Sequence, residues 1–167
     1  MRSQTLRYAL LFILSFLLSG ALSQVSAQPR LRFKANKVVR KTAVVIVAAH
    51  HQLKINKHFT GNFAKAVAHQ RFAKRQYVRG NFRSAIHHSR RARMLALTVI
   101  RDNKGTAKKE WEFSPDENNA SAGKDNPTDA QLDSELMKEN PNLTFSDEEL
   151  VDAVIDDIDV EEIVKDK

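Results

Sequence analysis

Apolar residues recur every three or four positions along three consecutive stretches of the chain. Two of these stretches cover 63–77 and 82–99, and their spacing is that of one face of an α-helix. The first stretch, over 35–57, has the β-branched centre "TAVVIVAA", so a short strand is the alternative to a helix there. The pattern therefore predicts three consecutive helices ahead of residue 106.

The turns between the predicted helices share a tripeptide. Gly61-Asn62-Phe63 and Gly80-Asn81-Phe82 lie nineteen residues apart, and glycine readily adopts the left-handed conformation that ends a helix. Asn103-Lys104-Gly105 would end the third helix in the same way. Short turns make consecutive helices antiparallel neighbours, so we predict an all-α fold built on a small antiparallel three-helix bundle.

The same nineteen-residue shift aligns three histidines, His50, His69 and His88. Mid-helix positions in antiparallel neighbours lie at similar heights, and small neighbouring residues leave room for imidazoles to converge. Three neutral imidazoles could bind zinc, copper or nickel, and one could bind haem iron. The alternative is that each is an ordinary packed histidine, hydrogen-bonded to a neighbouring helix. A transition metal or haem is therefore one possible cofactor, with these three residues as metal ligands.

Residues 66–95, "AVAHQRFAKRQYVRGNFRSAIHHSRRARML", resemble one tetratricopeptide repeat unit. His69 stands where that family usually has tryptophan, and no proline closes the unit. The resemblance implies a helix-turn-helix packing style, but not the family's peptide-binding groove, which needs about three repeats. The segment also resembles secreted bacterial proteins with an "HHSRRAR"-like stretch, which implies no particular activity. The positions that match the repeat family are Ala73, Tyr77, Gly80-Asn81, Phe82, Ala85 and Ala92.

The N-terminus has the three regions of a secretory signal peptide. Arg2 and Arg7 precede an apolar, uncharged run over 8–22, and the small residues Val25 and Ala27 follow it. A membrane span needs about 20 apolar residues, so we predict cleavage after Ala27, with an uncleaved anchor as the alternative. The chain has no cysteine, so its stability would depend on packing rather than on disulfides. We expect an exported protein, periplasmic or extracellular.

Charge is divided unequally along the rest of the chain. Residues 28–109 contain 21 Lys and Arg but one acidic residue, Asp102, whereas residues 110–167 contain 19 Asp and Glu and 4 Lys. The modest net charge of +7 therefore combines a strongly basic part with a strongly acidic one. Charge blocks of this size either attract one another or attract different partners.

The basic surface provides the leading functional hypothesis. Arginine suits bidentate recognition of phosphate, and polyanions bind cationic surfaces with release of counterions. Candidate partners are acidic lipid head groups at a membrane surface, acidic glycans or an acidic protein; sequence-specific nucleic-acid binding is not expected, because aromatic residues are few. The alternative is a solvated face, or one neutralised by the acidic part of the chain. The predicted polyanion-binding residues are Lys74, Arg75, Arg79, Arg83, Arg90, Arg91 and Arg93.

The acidic part is predicted to contain a linker and a helix. Residues 111–145 are rich in Pro, Asn and Asp, which is typical of a flexible linker, here with a short helical turn over 130–138. In 146–167, Ser146 and Glu149 form a capping-box pattern ahead of apolar residues at helical spacing. The predicted organisation is thus a signal peptide (1–27), a basic helical domain (28–110), a flexible linker (111–145) and an acidic amphipathic helix (146–167).

No catalytic motif accompanies these features. The basic part holds a single carboxylate, and the sequence has no Ser-His-Asp or Cys-His arrangement and no Gly-rich phosphate loop. We therefore expect a non-enzymatic binding or adaptor protein. Its basic bundle would engage a polyanion or a protein partner and would be shielded by its own acidic tail.

Overall fold

Three long helices form the body of the protein. The computed structural model describes residues 28–119 and 126–159, and it assigns no strand among them. Helix α1 spans Gln28–Asn56, α2 spans Asn62–Val78 and α3 spans Phe82–Asp102. The prediction of three helices is confirmed, and the stretch "TAVVIVAA" belongs to α1 rather than to a strand. The predicted signal peptide lies outside the described residues.

Consecutive helices run in opposite directions. Tyr77, near the end of α2, contacts Phe82 at the start of α3, and the two are joined by a tight turn. His50, near the end of α1, stacks on Phe63 at the start of α2, while Asn36 near the other end of α1 lies 3.5 Å from the Tyr77 hydroxyl. Helix α3 packs against both α1 and α2. No described helix is both long enough and apolar enough to cross a membrane.

Both repeated Gly-Asn-Phe tripeptides lie at helix boundaries, but only Gly80 ends a helix as predicted. Helix α1 ends earlier, at Asn56, with Lys57 in the left-handed region, and Gly61 precedes α2. Gly61 has φ 77° and Gly80 has φ 82°, in the left-handed region that favours glycine. At Gly61 a side chain would also meet the Phe145 carbonyl oxygen at 3.1 Å, because the C-terminal part of the chain passes close to this turn. Glycine at position 61 therefore permits both the turn and the approach of a distant segment.

The acidic C-terminal segment, residues 126–159, is packed onto the bundle. Leu132 and Leu136 are buried, as are Val151, Ile155 and Ile158, the last three within the main hydrophobic core. Burial of apolar side chains is the main favourable term in folding, so this segment belongs to the fold. After α3 come a 3₁₀ turn (Lys109–Trp111), α4 (Pro115–Asn119), α5 (Asp129–Glu139), α6 (Asp147–Val151) and a second 3₁₀ turn (Asp156–Ile158).

The structure differs from the predicted linker and tail in two places. The predicted linker contains α4 and α5, and α5 begins with a capping box in which Thr128 accepts from the Gln131 backbone N–H. The predicted C-terminal helix ends at Val151, although the Ser146 side chain caps it as expected. Beyond Val151 an irregular path brings Ile155 and Ile158 into the core. Residues 120–125 and 160–167 lie outside the described residues.

Asp147 joins the acidic segment to the start of α2. Its side chain is 1% exposed, and its carboxylate accepts backbone N–H bonds from Thr60, Gly61 and Ala64 at 2.8 to 2.9 Å. The first N–H groups of a helix have no partner within the helix, and Gly61 has no side chain to cap them. A residue more than eighty positions later in the chain therefore caps α2.

We predict that Asp147→Ala lowers the free energy of unfolding by about 2 to 3 kcal/mol, because three backbone donors lose a charged acceptor. Urea denaturation followed by circular dichroism measures the effect. Asp152→Ala, which removes an exposed carboxylate from the same segment, is the matched control and should stay within about 0.5 kcal/mol of the unsubstituted protein. Equal stability of the two variants would contradict this role for Asp147.

Candidate functional site

A cationic cleft of about 360 Å³ opens along the C-terminal half of α2. Arg71, Arg75 and Arg79 follow one another at four-residue intervals, so they lie on one face of the helix. Four cationic side chains around one concavity form a site suited to an anion. The residues that line the cationic cleft are Arg71, Lys74, Arg75, Val78, Arg79 and Asp157.

Two carboxylates from the acidic segment bind the cationic residues of this cleft. Arg71 donates from Nε and Nη2 to the two carboxylate oxygens of Asp157, at 2.8 and 3.1 Å. Arg79 donates to Glu139 at 2.8 Å, and Arg75 lies 3.4 Å from the other oxygen of that carboxylate. Arginine binds phosphate with the same bidentate hydrogen-bond geometry.

The ion pairs of the cleft are open to solvent. The side chains of Arg79 and Asp157 are about half exposed, and that of Glu139 is one third exposed. Burial raises the pKa of Glu139, but the hydrogen bonds and charges of Arg79 and Arg75 outweigh it and hold that pKa below its usual range. Exposed ion pairs contribute little to stability and are screened by salt. These carboxylates can therefore be exchanged for another anion at small cost.

The seven predicted polyanion-binding residues separate into different environments. Lys74, Arg75 and Arg79 line the cationic cleft. Arg83 is exposed and forms no ion pair with any acidic residue that the structure describes. Arg91 binds Asp129 at 2.6 Å and also contacts Asp133 at 3.2 Å.

The remaining two predicted residues contact the segment that follows α3. Arg90 donates to the Glu117 carbonyl oxygen and to Asn118, and its guanidinium lies 4.3 Å from the centre of the Phe113 ring. The seven predicted residues therefore do not form one continuous surface. Among them, only Lys74, Arg75 and Arg79 line the cationic cleft.

The placement of Arg93 on an anion-binding surface is incorrect. This side chain is fully buried, lies 3.0 Å from Glu117 and donates to the Thr42 hydroxyl. Burial lowers the pKa of Arg93, and its charge in turn helps to hold the pKa of Glu117 below the usual range against the opposing effect of burial. Position 93 follows Ser89 by one helical turn, on the face that packs against α1, and this spacing signals burial. Its partner Glu117 has no comparable signal in the sequence.

Arg71 is the cleft residue that the sequence analysis missed. Its spacing of four and eight residues from Arg75 and Arg79 is the signal that places it on their face. Its bidentate contact with Asp157 makes it the most completely engaged arginine of the cleft.

All three aligned histidines contact the acidic segment. His50 donates from Nε2 to the Val151 carbonyl oxygen at 2.8 Å. His69 Nε2 lies 2.9 Å from Asp133, and His88 Nε2 lies 3.3 Å from Glu135. The three repeated histidines therefore lie in the surface of the bundle that contacts the acidic segment.

His69 and His88 also meet each other, with their Nδ1 atoms 3.0 Å apart. The three contacts from Asp133 through both rings to Glu135 need three protons, whereas two neutral imidazoles supply two. The His88–Glu135 contact is the longest, and the Glu135 side chain is 49% exposed, so this contact lacks a proton when both rings are neutral. His69 then carries its proton on Nε2, and His88 carries its proton on Nδ1.

The same pair is shielded from protonation at neutral pH. Burial lowers the pKa of His69 from 6.5 to about 4, against the opposing hydrogen bond to Asp133. Burial likewise lowers the pKa of His88. Burial raises the pKa of Asp133, but hydrogen bonds from Arg91, Lys65 and His69 outweigh this and lower it to about 2. A charged Asp133 beside two neutral rings is the resulting state at pH 7.

The three aligned histidines do not converge on one point. His69 and His88 hydrogen-bond to each other, while His50 lies between Phe63 and Val151. Within residues 28–119 and 126–159, no three His, Cys, Asp or Glu side chains are grouped so that they could hold a metal ion. The contacts made by the three rings are those of packed, hydrogen-bonded histidines.

Comparisons with protein-family models, with curated proteins and with solved structures found no significant match to this chain.

We predict that the free energy of unfolding falls as the pH is lowered from 6.5 towards 4. In this window the unfolded chain takes up a proton at His69, while the folded protein keeps this ring neutral, so protons favour the unfolded state. The difference between the pKa values of His69 in the unfolded and folded states, 6.5 and about 4, corresponds to a loss of about 3 kcal/mol in the free energy of unfolding over the whole window. Urea denaturation at successive pH values measures the dependence.

His69→Gln should reduce this pH dependence, and His51→Gln, at an exposed position of α1, should leave it unchanged. Stability of the unsubstituted protein that is constant between pH 6.5 and 4.5 would contradict the neutral state of the pair.

Proposed function

We propose that this protein is an exported, non-enzymatic binding protein whose basic bundle binds a polyanion or an acidic protein partner. The acidic segment shields the binding site until a partner displaces it. The observation that carries this proposal is the cationic cleft, in which Asp157 and Glu139 occupy the positions of an external anion. Its location in the periplasm or outside the cell rests on the signal-peptide pattern of residues 1–27.

The chemistry of the cleft defines the class of partner. Three guanidinium groups and one ammonium group around one concavity favour a ligand with several closely spaced negative charges. Sulfated or phosphorylated glycans, acidic lipid head groups and acidic protein surfaces have this property. The residues that line the cleft include no aromatic side chain on which a nucleic-acid base could stack.

Displacement of the shield is local. Removing the whole acidic segment would expose five buried apolar side chains, at about 1.5 to 3 kcal/mol each. Exchange of the exposed carboxylates of Glu139 and Asp157 leaves that packing intact. A polyanion would therefore compete with the three surface ion pairs of these two carboxylates and not with the fold.

The alternative function, a metal- or haem-binding protein based on His50, His69 and His88, has no comparable support in the geometry and stays a prediction. Spectroscopic titration of the protein with zinc, copper, nickel and haem tests it directly.

We predict that Glu139→Gln combined with Asp157→Asn raises affinity for heparin, because the substitutions free Arg71, Arg75 and Arg79 while leaving the segment in place. The variant should elute from a heparin column at higher salt than the unsubstituted protein. Glu112→Gln combined with Asp116→Asn changes the net charge equally at two other exposed positions and is the matched control. Equal shifts in both variants would attribute the effect to net charge and contradict shielding.

We predict that replacing Arg71, Arg75 and Arg79 together by Gln weakens heparin binding and reduces its salt dependence by roughly one counterion per lost contact. Binding measured by titration at several salt concentrations gives this slope. The control replaces the exposed residues Arg101, Lys104 and Lys109 by Gln, which removes the same charge elsewhere. An unchanged slope in the cleft variant would locate heparin outside the cleft.

A further inference from the structure

The cationic cleft binds Asp157 through both its side chain and its main chain. Arg71 donates to the two carboxylate oxygens of Asp157 at 2.8 and 3.1 Å, and the Lys74 ammonium donates to the Asp157 carbonyl oxygen at 3.0 Å. Arg71 and Lys74 are three residues apart, so they lie on one face of α2 and meet the same residue. This part of the cleft therefore binds an aspartyl residue as a unit of polypeptide, and not as a carboxylate alone.

A second carboxylate position lies further along α2. Glu139 accepts from Arg79 at 2.8 Å, and Arg75 lies 3.4 Å from its other oxygen. The Arg75 guanidinium is also 5.4 Å from the centre of the buried Phe72 ring, which helps to hold this arginine in place. Eight residues separate positions 71 and 79, which is about 12 Å of helix. A ligand that contacts both ends of the cleft must cover about this distance.

We propose that the cationic cleft binds an acidic peptide of a partner protein, with one aspartate at the position of Asp157 and a second acidic residue at the position of Glu139. A short free peptide does not form a stable helix in water, and an extended chain covers about 12 Å in three to four residues. The two acidic residues of the peptide thus lie about three positions apart. This inference rests on the proposed function and names the partner of the same site.

A peptide fits the cleft better than a sulfated glycan does. Val78, whose side chain is 61% exposed, lines the cleft together with the cationic residues. An apolar side chain between the two acids of a peptide can cover it, whereas a glycan offers charged and hydroxyl groups. The contact of Lys74 with a main-chain carbonyl oxygen also has a counterpart in any peptide. The acidic segment itself has this composition, since residues 152–159 are "DAVIDDID".

The peptide would replace contacts of side chains that can turn away without disturbing the core. Ile158 is buried and its carbonyl oxygen accepts from Gln70 at 3.0 Å, so the backbone beside Asp157 is anchored. The Asp157 side chain is 51% exposed and can turn into solvent while that backbone stays in place. An incoming aspartate then pairs with Arg71, and Lys74 donates to the new carbonyl oxygen from its flexible four-carbon stem.

Nuclear magnetic resonance titration tests this inference, since it detects weak binding and shows which residues are contacted. The probe is the capped peptide acetyl-Gly-Asp-Ala-Val-Asp-Gly-amide. The control peptide acetyl-Gly-Asp-Asp-Ala-Val-Gly-amide has the same composition and charge. The probe should shift resonances of α2 between Arg71 and Arg79 and should bind about threefold or more tightly than the control, because only the probe reaches both carboxylate positions. Equal affinity of the two peptides would overturn the inference.

The protein's own carboxylates should compete with the peptide. The Glu139→Gln, Asp157→Asn variant should therefore bind the probe about five- to tenfold more tightly than the unsubstituted protein, because three exposed ion pairs no longer compete. An affinity of this variant no higher than that of the unsubstituted protein would contradict binding at the positions of Asp157 and Glu139.

Single substitutions in that variant locate the aspartate. Arg71→Gln or Lys74→Met should each lower the affinity for the probe by about threefold or more. Lys109→Met, which removes a charge at an exposed position outside the cleft, is the matched control and should change the affinity less. Circular dichroism verifies that each variant is folded. Equal losses in the three variants would attribute binding to net charge and overturn the inference.

Heparin separates this inference from the proposed function. Displacement of bound heparin by the probe would support a shared site in the cleft. Heparin binding at the cleft without any binding of the probe would assign the site to a glycan, which overturns the peptide inference and leaves the proposed function in place. Binding of neither by the Glu139→Gln, Asp157→Asn variant would overturn both.

Discussion

Docking of the acidic C-terminal segment on the basic helices is the interaction on which the rest of the structure depends. The 21 Lys and Arg of residues 28–109 repel one another in a compact bundle, and one acidic residue in the same stretch cannot balance them. The acidic segment supplies the countercharge at Asp129, Asp133, Glu139 and Asp157. Apolar packing and the cap from Asp147 then hold the segment in place. Charge, burial and hydrogen bonding thus favour the same docked arrangement.

These three contributions differ in strength and in location. The ion pairs of the cleft are exposed and weak, whereas the carboxylate of Asp147 and the side chains of Ile155 and Ile158 are buried. The carboxylates in the cleft are therefore the readily exchanged ones, whereas the residues that anchor the segment are buried, and one of them, Ile158, directly follows Asp157. The proposed binding site and a permanent part of the fold are thus combined in one segment.

Much of the bundle could be predicted from the sequence, because helical periodicity and the Gly61 and Gly80 turns are local signals. The docked path of the acidic segment could not, since it depends on contacts between residues more than eighty positions apart, such as Ala64 with Asp147. The histidine repeat was visible, but its role was not: the carboxylate of Asp133 is supplied by a region whose composition is typical of a linker. The ion-pair partner of Arg93 was likewise hidden, because Glu117 belongs to that same region.

The cap that Asp147 provides to α2 limits how early during synthesis the protein can reach its native fold. Synthesis delivers all three basic helices before Asp147 exists, so a growing chain has an uncapped α2 and excess positive charge. Its native arrangement becomes available only after the residues around 147–158 have been made. Until then the backbone N–H groups at the start of α2 lack their carboxylate acceptor, and the basic helices lack their countercharge.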